Sequence, residues 1–250
     1  DNYIIYIFNL KIYMGRAFEF RKARKMKRWS SMAKIFTRIG KDIVMAVKEG
    51  GPDPSNNSKL RAIIQNAKAA NMPKENVERA IKKASDISTE NYKEMIFEGY
   101  APHGIAILIE ATSDNNNRTV ANIRSYFNKA QGSMGKSGSV DFLFERICSF
   151  RLDKKNYNIE EIELDFIDYG VEEVFEEDNE IVIYGSFDGY GTIQKELENR
   201  NIEIISSSFD RIALSPKRIN HEQQNEIENL IKKIEEDDDV QNVFHSMDIN

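Results

Sequence analysis

The spacing of apolar residues changes once along this chain, and that change limits what the chain can fold into. From Glu19 to Ala84 the apolar residues recur at helical intervals. After the polar segment at residues 85–91 the pattern becomes short alternating or β-branched runs, separated by turns and helical stretches. We therefore predict an α+β protein in which an N-terminal helical domain precedes mixed domains of helix and sheet.

The N-terminal part predicts four helices. The first carries a basic stripe, and the second ends at Gly50-Gly51-Pro52. The third is centred on residues 60–67, and the fourth begins at Pro73. Together these helices predict a small domain with a basic exterior.

The second part contains one complete strand-helix-strand-strand-helix-strand order, which is typical of a ferredoxin-like domain. Its predicted strands are residues 149–152, 171–175, 181–184 and 203–207, and its helices are residues 160–169 and 191–199. A second such unit surrounds it, with predicted strands at 104–112, 140–145, 210–214 and 240–246 and helices at 117–130 and 220–235. The prediction is two ferredoxin-like α/β domains, one inserted in the other.

The predicted domain boundaries follow from these elements. Residues 14–87 form the basic helical domain, residues 88–148 with 209–250 form the split α+β domain, and residues 149–208 form the inserted domain. Residues 1–13 are interpreted as an N-terminal extension, because helical patterning begins only near Met14. Deleting residues 1–13 is expected to leave folding and binding unchanged.

Charge is unevenly distributed along the chain, although its formal net charge is -6. Residues 14–86 hold 18 Lys or Arg and 7 Asp or Glu, whereas residues 87–250 hold 16 and 33. Seven cations fall within thirteen residues: Arg16, Arg21, Lys22, Arg24, Lys25, Lys27 and Arg28. Four of them share one helix face, where like charges repel unless an anion neutralises them. The pattern predicts a nucleic-acid partner.

Two further groups are candidate nucleic-acid contacts. Lys34, Arg38 and Lys41 line one side of the second predicted helix. Arg118 follows three asparagines at the start of a later helix, where the guanidinium and the amides could meet phosphate or ribose. An Asn-rich turn with a helix cap explains the same residues equally well, and both interpretations stay open.

Several other classes of protein are disfavoured. The single cysteine excludes an internal disulfide, three scattered histidines do not assemble a Cys/His metal cluster, and no apolar run approaches the length of a membrane span. Gly135-Lys136-Ser137 is not a P-loop, because Ala130 stands where the first glycine is needed and a helix, not a strand, precedes it. We expect no catalysis, no cofactor or metal, no membrane partner and no small-molecule substrate.

Several stretches, in order, resemble the YebC/PmpR family. They are Lys34-Ile-Phe-Thr-Arg-Ile, Val47-Lys-Glu-Gly-Gly-Pro-Asp-Pro, Ala69-Ala-Asn-Met-Pro-Lys-Glu-Asn-Val-Glu-Arg-Ala-Ile-Lys, Phe97-Glu-Gly-Tyr-Ala-Pro-His-Gly, Asn117-Arg-Thr-Val-Ala and Gly138-Ser-Val-Asp-Phe-Leu-Phe-Glu. The resemblance runs from about Met14 to the C-terminus. Many family members open with Gly-His-Ser-Lys-Trp, which this chain replaces by Gly15-Arg-Ala-Phe-Glu-Phe. The resemblance therefore does not extend residue by residue to the tip of the first helix.

The resemblance implies a cytoplasmic, DNA-binding transcription regulator with a helical domain and two mixed domains. The family also includes the mitochondrial translational activator of cytochrome oxidase subunit I, so a ribosome- or rRNA-associated translation factor is the alternative. An enzyme or metabolite-binding protein is a remote third interpretation, since ferredoxin-like folds support many functions. Oligomeric state and sequence preference are not predicted.

Overall fold

The computed structural model describes residues 32–85, 92–154 and 157–248. The described chain forms two compact units. Among the described residues, unit 1 contains residues 32–35, 92–145 and 212–248, and unit 2 contains residues 36–85, 146–154 and 157–211. Both units combine helices with an antiparallel sheet, which confirms the predicted α+β class.

Three helices open the described part: α1 (Met32–Gly50), α2 (Ser58–Ala69) and α3 (Lys74–Ser85). Gly51 follows α1 with a φ of +85°, a left-handed conformation that glycine adopts without strain. Asn57 caps α2, since its side chain accepts from the Leu60 amide at 3.0 Å and donates to the carbonyl of Ala46 at 2.7 Å. These helices match the second, third and fourth predicted ones. The first predicted helix lies outside the described residues.

The remaining elements follow in chain order. They are β1 (Lys93–Ala101), β2 (Ile105–Ser113), α4 (Asn116–Lys129), β3 (Ser133–Met134), β4 (Phe144–Asp153), α5 (Ile159–Phe166), β5 (Val171–Glu177), β6 (Glu180–Ser186), α6 (Tyr190–Asn199), β7 (Ile204–Ala213), α7 (His221–Glu235) and β8 (Val240–His245). Short 3-10 turns occupy residues 102–104, 141–143, 167–169 and 187–189.

The sheet of unit 1 has the strand order β3-β1-β2-β8. The strands of this sheet differ from the predicted ones. Strand β1 was not predicted, and residues 140–145 and 210–214 were predicted as strands of this sheet but are not part of it. In β1 the glutamate Glu98 is buried and interrupts the apolar alternation, so the sequence pattern hides the strand. The apolar side chains of β2, α4, α7 and β8 form the core, including Ile107, Ile123 and Phe127, each 0% exposed.

The sheet of unit 2 has the order β5-β6-β4-β7, which with α5 and α6 is the predicted ferredoxin-like arrangement. β4 and β7 are each one strand of 10 residues, where the sequence predicted two short strands each. Glu145-Arg146 and Ser208 to Asp210 break the apolar pattern without breaking the strands. The predicted boundaries at 148/149 and 208/209 thus fall inside β4 and β7. The division into three domains stays a prediction.

Candidate nucleic-acid interface

The cations of the basic segment at residues 16–28 lie outside the described residues. They are Arg16, Arg21, Lys22, Arg24, Lys25, Lys27 and Arg28. Their assignment as phosphate contacts therefore stays a prediction.

The cations predicted on α1 are engaged within the protein. The ammonium of Lys34 donates to the main-chain oxygen of Glu236 at 2.7 Å. Arg38 is half-buried and Lys41 is only 8% exposed, and neither is without a partner. Little of the Lys41 side chain remains available to an outside ligand, because a buried ammonium must stay paired where it lies.

A different set of cations is exposed on α2 and α3. Lys68 ends α2, and Arg79 and Lys82 lie three residues apart on α3, where they share one helix face. All three side chains are exposed and form no ion pair within the described part of the chain. Sequence reasoning missed this group, although the helical spacing of Arg79, Lys82 and Lys83 is the signal that could have found it.

The charge of this helical region is positive overall. Residues 36–85 hold ten Lys or Arg and five Asp or Glu. Several of the acids are paired with local cations, as in the contacts of Lys59 with Glu49 at 2.8 Å and Lys74 with Glu78 at 3.6 Å. The excess of cations in this region favours an anionic partner.

Arg118, the candidate site in unit 1, belongs to a dense internal network. Its guanidinium donates to Asp239 at 2.8 Å and to Asp114 at 2.9 Å. Both hydrogen bonds raise the pKa of Arg118, and the bond to Asp239 has the larger effect. Asp239 is 5% exposed and also accepts from the hydroxyls of Ser113 and Thr119. The Asn115 side chain caps α4 by accepting from the Arg118 amide at 3.1 Å. These contacts match the turn-and-cap interpretation, and two carboxylates already neutralise the guanidinium.

Acidic residues continue beside this network. A cleft of about 470 Å³ is lined by Arg118, Asn122 and the acidic run at residues 236–239. Asp237 accepts hydrogen bonds from the Asn122 amide at 3.0 Å and from the Tyr126 hydroxyl at 2.9 Å. Burial and this hydrogen bond raise the pKa of Tyr126 to about 12. An anionic ligand would meet net negative charge here.

The loop that begins with Gly135-Lys136-Ser137 binds an anionic group through the amides that follow these three residues, and that group is the protein's own Glu98. The Glu98 carboxylate accepts from the amides of Gly138 at 2.6 Å, Val140 at 2.7 Å and Asp141 at 2.8 Å. Main-chain amides converging in this way form an anion nest. Because Glu98 is 4% exposed and fills the nest, the loop has no room for a phosphate.

Other chemistry is sparse in the described residues. Cys148 is buried, and burial raises the pKa of its thiol to about 11. Residues 32–85, 92–154 and 157–248 hold no cluster of three His, Cys, Asp or Glu side chains arranged to bind a metal ion. No helix among these same ranges has the length and apolar character needed to cross a membrane.

Comparisons with known proteins cover nearly the whole chain. The family described as "TACO1/YebC protein N-terminal domain" matches residues 16–87, and "TACO1/YebC second and third domain" matches residues 92–247. A "probable transcriptional regulatory protein" of Flavobacterium johnsoniae is 68% identical over 94% of this chain and 99% of its own length. Another of that name, from Porphyromonas gingivalis, is 57% identical over 94% and 97%.

A solved structure resembles the fold as well. The crystal structure of a conserved hypothetical protein from Aquifex aeolicus matches with a TM-score of 0.75 and 35% identity, and the match covers 88% of this chain and 91% of that one. With both family models matched in order along the sequence, the chain belongs to the TACO1/YebC family.

Proposed function

We propose that this protein regulates gene expression by binding nucleic acid through its N-terminal helical region, without catalysis. The observation that carries this function is the exposure of Lys68, Arg79 and Lys82, none of which forms an ion pair with a residue that the structure describes. The basic segment at residues 16–28 is a second candidate contact for the same partner. Transcription is the process named for the relatives from Flavobacterium johnsoniae and Porphyromonas gingivalis. We propose the cytoplasm as the location.

The helical region would hold phosphates and position the protein without reading base sequence. Lys and Arg side chains that replace condensed counterions make affinity fall with salt. The acidic remainder of the chain, with 33 Asp or Glu in residues 87–250, would be repelled by the same phosphates. This charge division would favour contact through the helical region over contact through the rest of the chain.

The contact is tested by fluorescence anisotropy with labelled duplex DNA at graded salt. The variant Arg79→Gln with Lys82→Gln should weaken binding and make the log-log salt slope shallower by roughly 0.9 for each phosphate that the variant no longer neutralises. The matched control is Arg124→Gln with Lys129→Gln on α4, since both side chains are exposed and unpaired within the described ranges. If the control pair changes the slope equally, net charge and not this surface determines binding.

Two further results bear on the function. A variant with Arg21, Arg24, Lys25 and Arg28 changed to Ala tests the basic segment in the same assay. Co-sedimentation with ribosomes at graded salt tests the translation-factor alternative. Ribosome binding that both sets of substitutions abolish, without salt-sensitive binding to duplex DNA, would replace transcription by translation as the regulated process. A flat salt response with both partners would contradict the electrostatic contact altogether.

A further inference from the structure

Unit 2 contains a row of aromatic rings that runs from its core to its surface. Phe150 stacks on Tyr190 with ring centroids 5.0 Å apart, Tyr190 contacts Phe209 at 4.7 Å, and Phe209 contacts Phe187 at 5.0 Å. Phe150 is 0% exposed, whereas Phe209 is 46% exposed. The inner rings therefore fix the outer ones, and a large part of the Phe209 ring faces solvent.

An arginine completes the outer end of this row. The Arg146 guanidinium lies over the Phe187 ring, 3.6 Å from its centroid. Arg146 is exposed and forms no ion pair with any residue that the structure describes. We call Phe187, Phe209 and Arg146 the aromatic platform. Aromatic rings and guanidinium planes are the groups on which unpaired nucleobases stack.

The platform is joined to the basic helices within unit 2. The Asn66 side chain of α2 donates to the Ser207 carbonyl at 2.7 Å and accepts from the Ser207 amide at 2.9 Å. These two bonds fasten the end of α2 to β7 two residues before Phe209. Lys68, one of the exposed cations, lies two residues beyond Asn66. The helix that carries Lys68 is thereby fixed to the strand that carries Phe209, within one unit.

We propose that the aromatic platform stacks unpaired bases of a single-stranded nucleic acid whose phosphates are held by the basic helices. This inference rests on the function proposed above and specifies its partner. Asp188 follows Phe187 and is exposed, so its carboxylate disfavours phosphate near that ring and favours the approach of bases. Arg146 in turn repels a cationic partner. Bases within an intact duplex do not offer their faces, so a duplex would bind through the cations alone.

The test compares the full chain with Phe209→Leu, which keeps an apolar side chain and removes the ring. Anisotropy is measured with a labelled single-stranded oligonucleotide in ribo and deoxy forms, with an abasic strand of equal length and with a duplex. Loss of one stacked base should weaken single-strand binding by a factor of about 5 to 150. Abasic-strand and duplex binding should be unchanged. The ribo and deoxy strands distinguish RNA from single-stranded DNA as the preferred source.

Two variants make the result decisive. Phe142→Leu is the matched control, because Phe142 is 66% exposed and lies in unit 1, outside the platform. Arg146→Gln weakens the platform without touching the core, so it reports on binding even if Phe209→Leu unfolds, which circular dichroism would reveal. Unchanged single-strand affinity in the folded platform variants, or an equal loss with the abasic strand, would overturn the inference.

The remaining outcomes separate this inference from the proposed function. The platform variants are also tested with an arginine-rich peptide. If they lose binding to this peptide and keep their affinity for the oligonucleotides, the platform binds a cationic partner and the inference is overturned. In another outcome, Arg79→Gln with Lys82→Gln weakens duplex binding while the platform variants bind every oligonucleotide like wild type. That result would refute base stacking on the platform and leave the proposed function standing. Binding to none of the oligonucleotides would refute both.

Discussion

Replacing Glu98 by glutamine is expected to destabilise unit 1 by about 2 to 4 kcal/mol, because the Glu98 carboxylate holds three main-chain amides. Glu98 is 4% exposed, and its oxygens lie 2.6 to 2.8 Å from the amides of Gly138, Val140 and Asp141. The substitution keeps the shape of the side chain and changes only its charge and one acceptor. It therefore isolates the interaction from the effects of a cavity.

The magnitude follows from how an amide can fit the nest. Its one oxygen can accept from Val140 and Asp141, which share the same carboxylate oxygen of Glu98. The amide nitrogen then faces the Gly138 amide, and two donors oppose each other. One charge-assisted bond, worth about 1.5 to 3 kcal/mol, is lost and the other two weaken. The smaller desolvation cost of a neutral side chain offsets part of this loss.

Urea unfolding and hydrogen exchange measure the effect. The amides of Gly138, Val140 and Asp141 should lose protection in Glu98→Gln, which locates the change in this loop. Glu145→Gln is the control, because Glu145 is exposed and has no partner in the described part of the chain. The control should stay within about 0.5 kcal/mol of wild type. A Glu98→Gln protein as stable as that control, with its loop amides still protected, would refute the reasoning.

Three other outcomes are expected. Arg118→Gln should lower the stability of unit 1 by about 1 to 2 kcal/mol because its bonds to a buried Asp239 are removed, while the salt slope of nucleic-acid binding stays unchanged; a shallower slope would make Arg118 a phosphate contact after all. Tyr126 has a folded-state pKa of about 12, above the unfolded value near 10. The hydroxyl therefore contributes fully to folding stability below pH 10, and this contribution is lost as the pH rises towards 12. Tyr126→Phe should flatten the decline of Tm over that interval, and an unaltered decline would disprove the assignment. Cys148, with its pKa raised to about 11 by burial, should react slowly with a thiol reagent at neutral pH until denaturant is added, and prompt labelling of the native protein would contradict its burial.

The helices were readable from the sequence because their signals are local. Gly50-Gly51 ends α1 and Pro73 precedes α3, where the spacing of apolar residues and the helix-stop residues agree. The two helices and four strands of the ferredoxin-like arrangement followed from the order of short apolar runs. Local periodicity was sufficient to predict an element wherever that element buries one continuous apolar face.

The sheet of unit 1 was less predictable because its strands break that rule. β1 contains the buried Glu98, whose charge is satisfied by amides about forty residues later in the chain. No window around Lys93–Ala101 contains that information. β4 and β7 likewise continue through polar residues that a local pattern interprets as turns, because pairing with other strands decides where a strand ends.

The candidate cations show the same limit in the site itself. Arg118 and Arg79 both lie on exposed helix surface, yet Asp239 reaches Arg118 from 121 residues away and Arg79 has no such partner in the described ranges. A guanidinium already bound to two carboxylates offers a phosphate little, since binding would first break those bonds. An unpaired one releases counterions on binding and incurs no such cost. What distinguishes a binding cation from a structural one is therefore the carboxylate that the fold places beside it, and by this criterion α2 and α3 are the described surface where phosphate contacts should be sought.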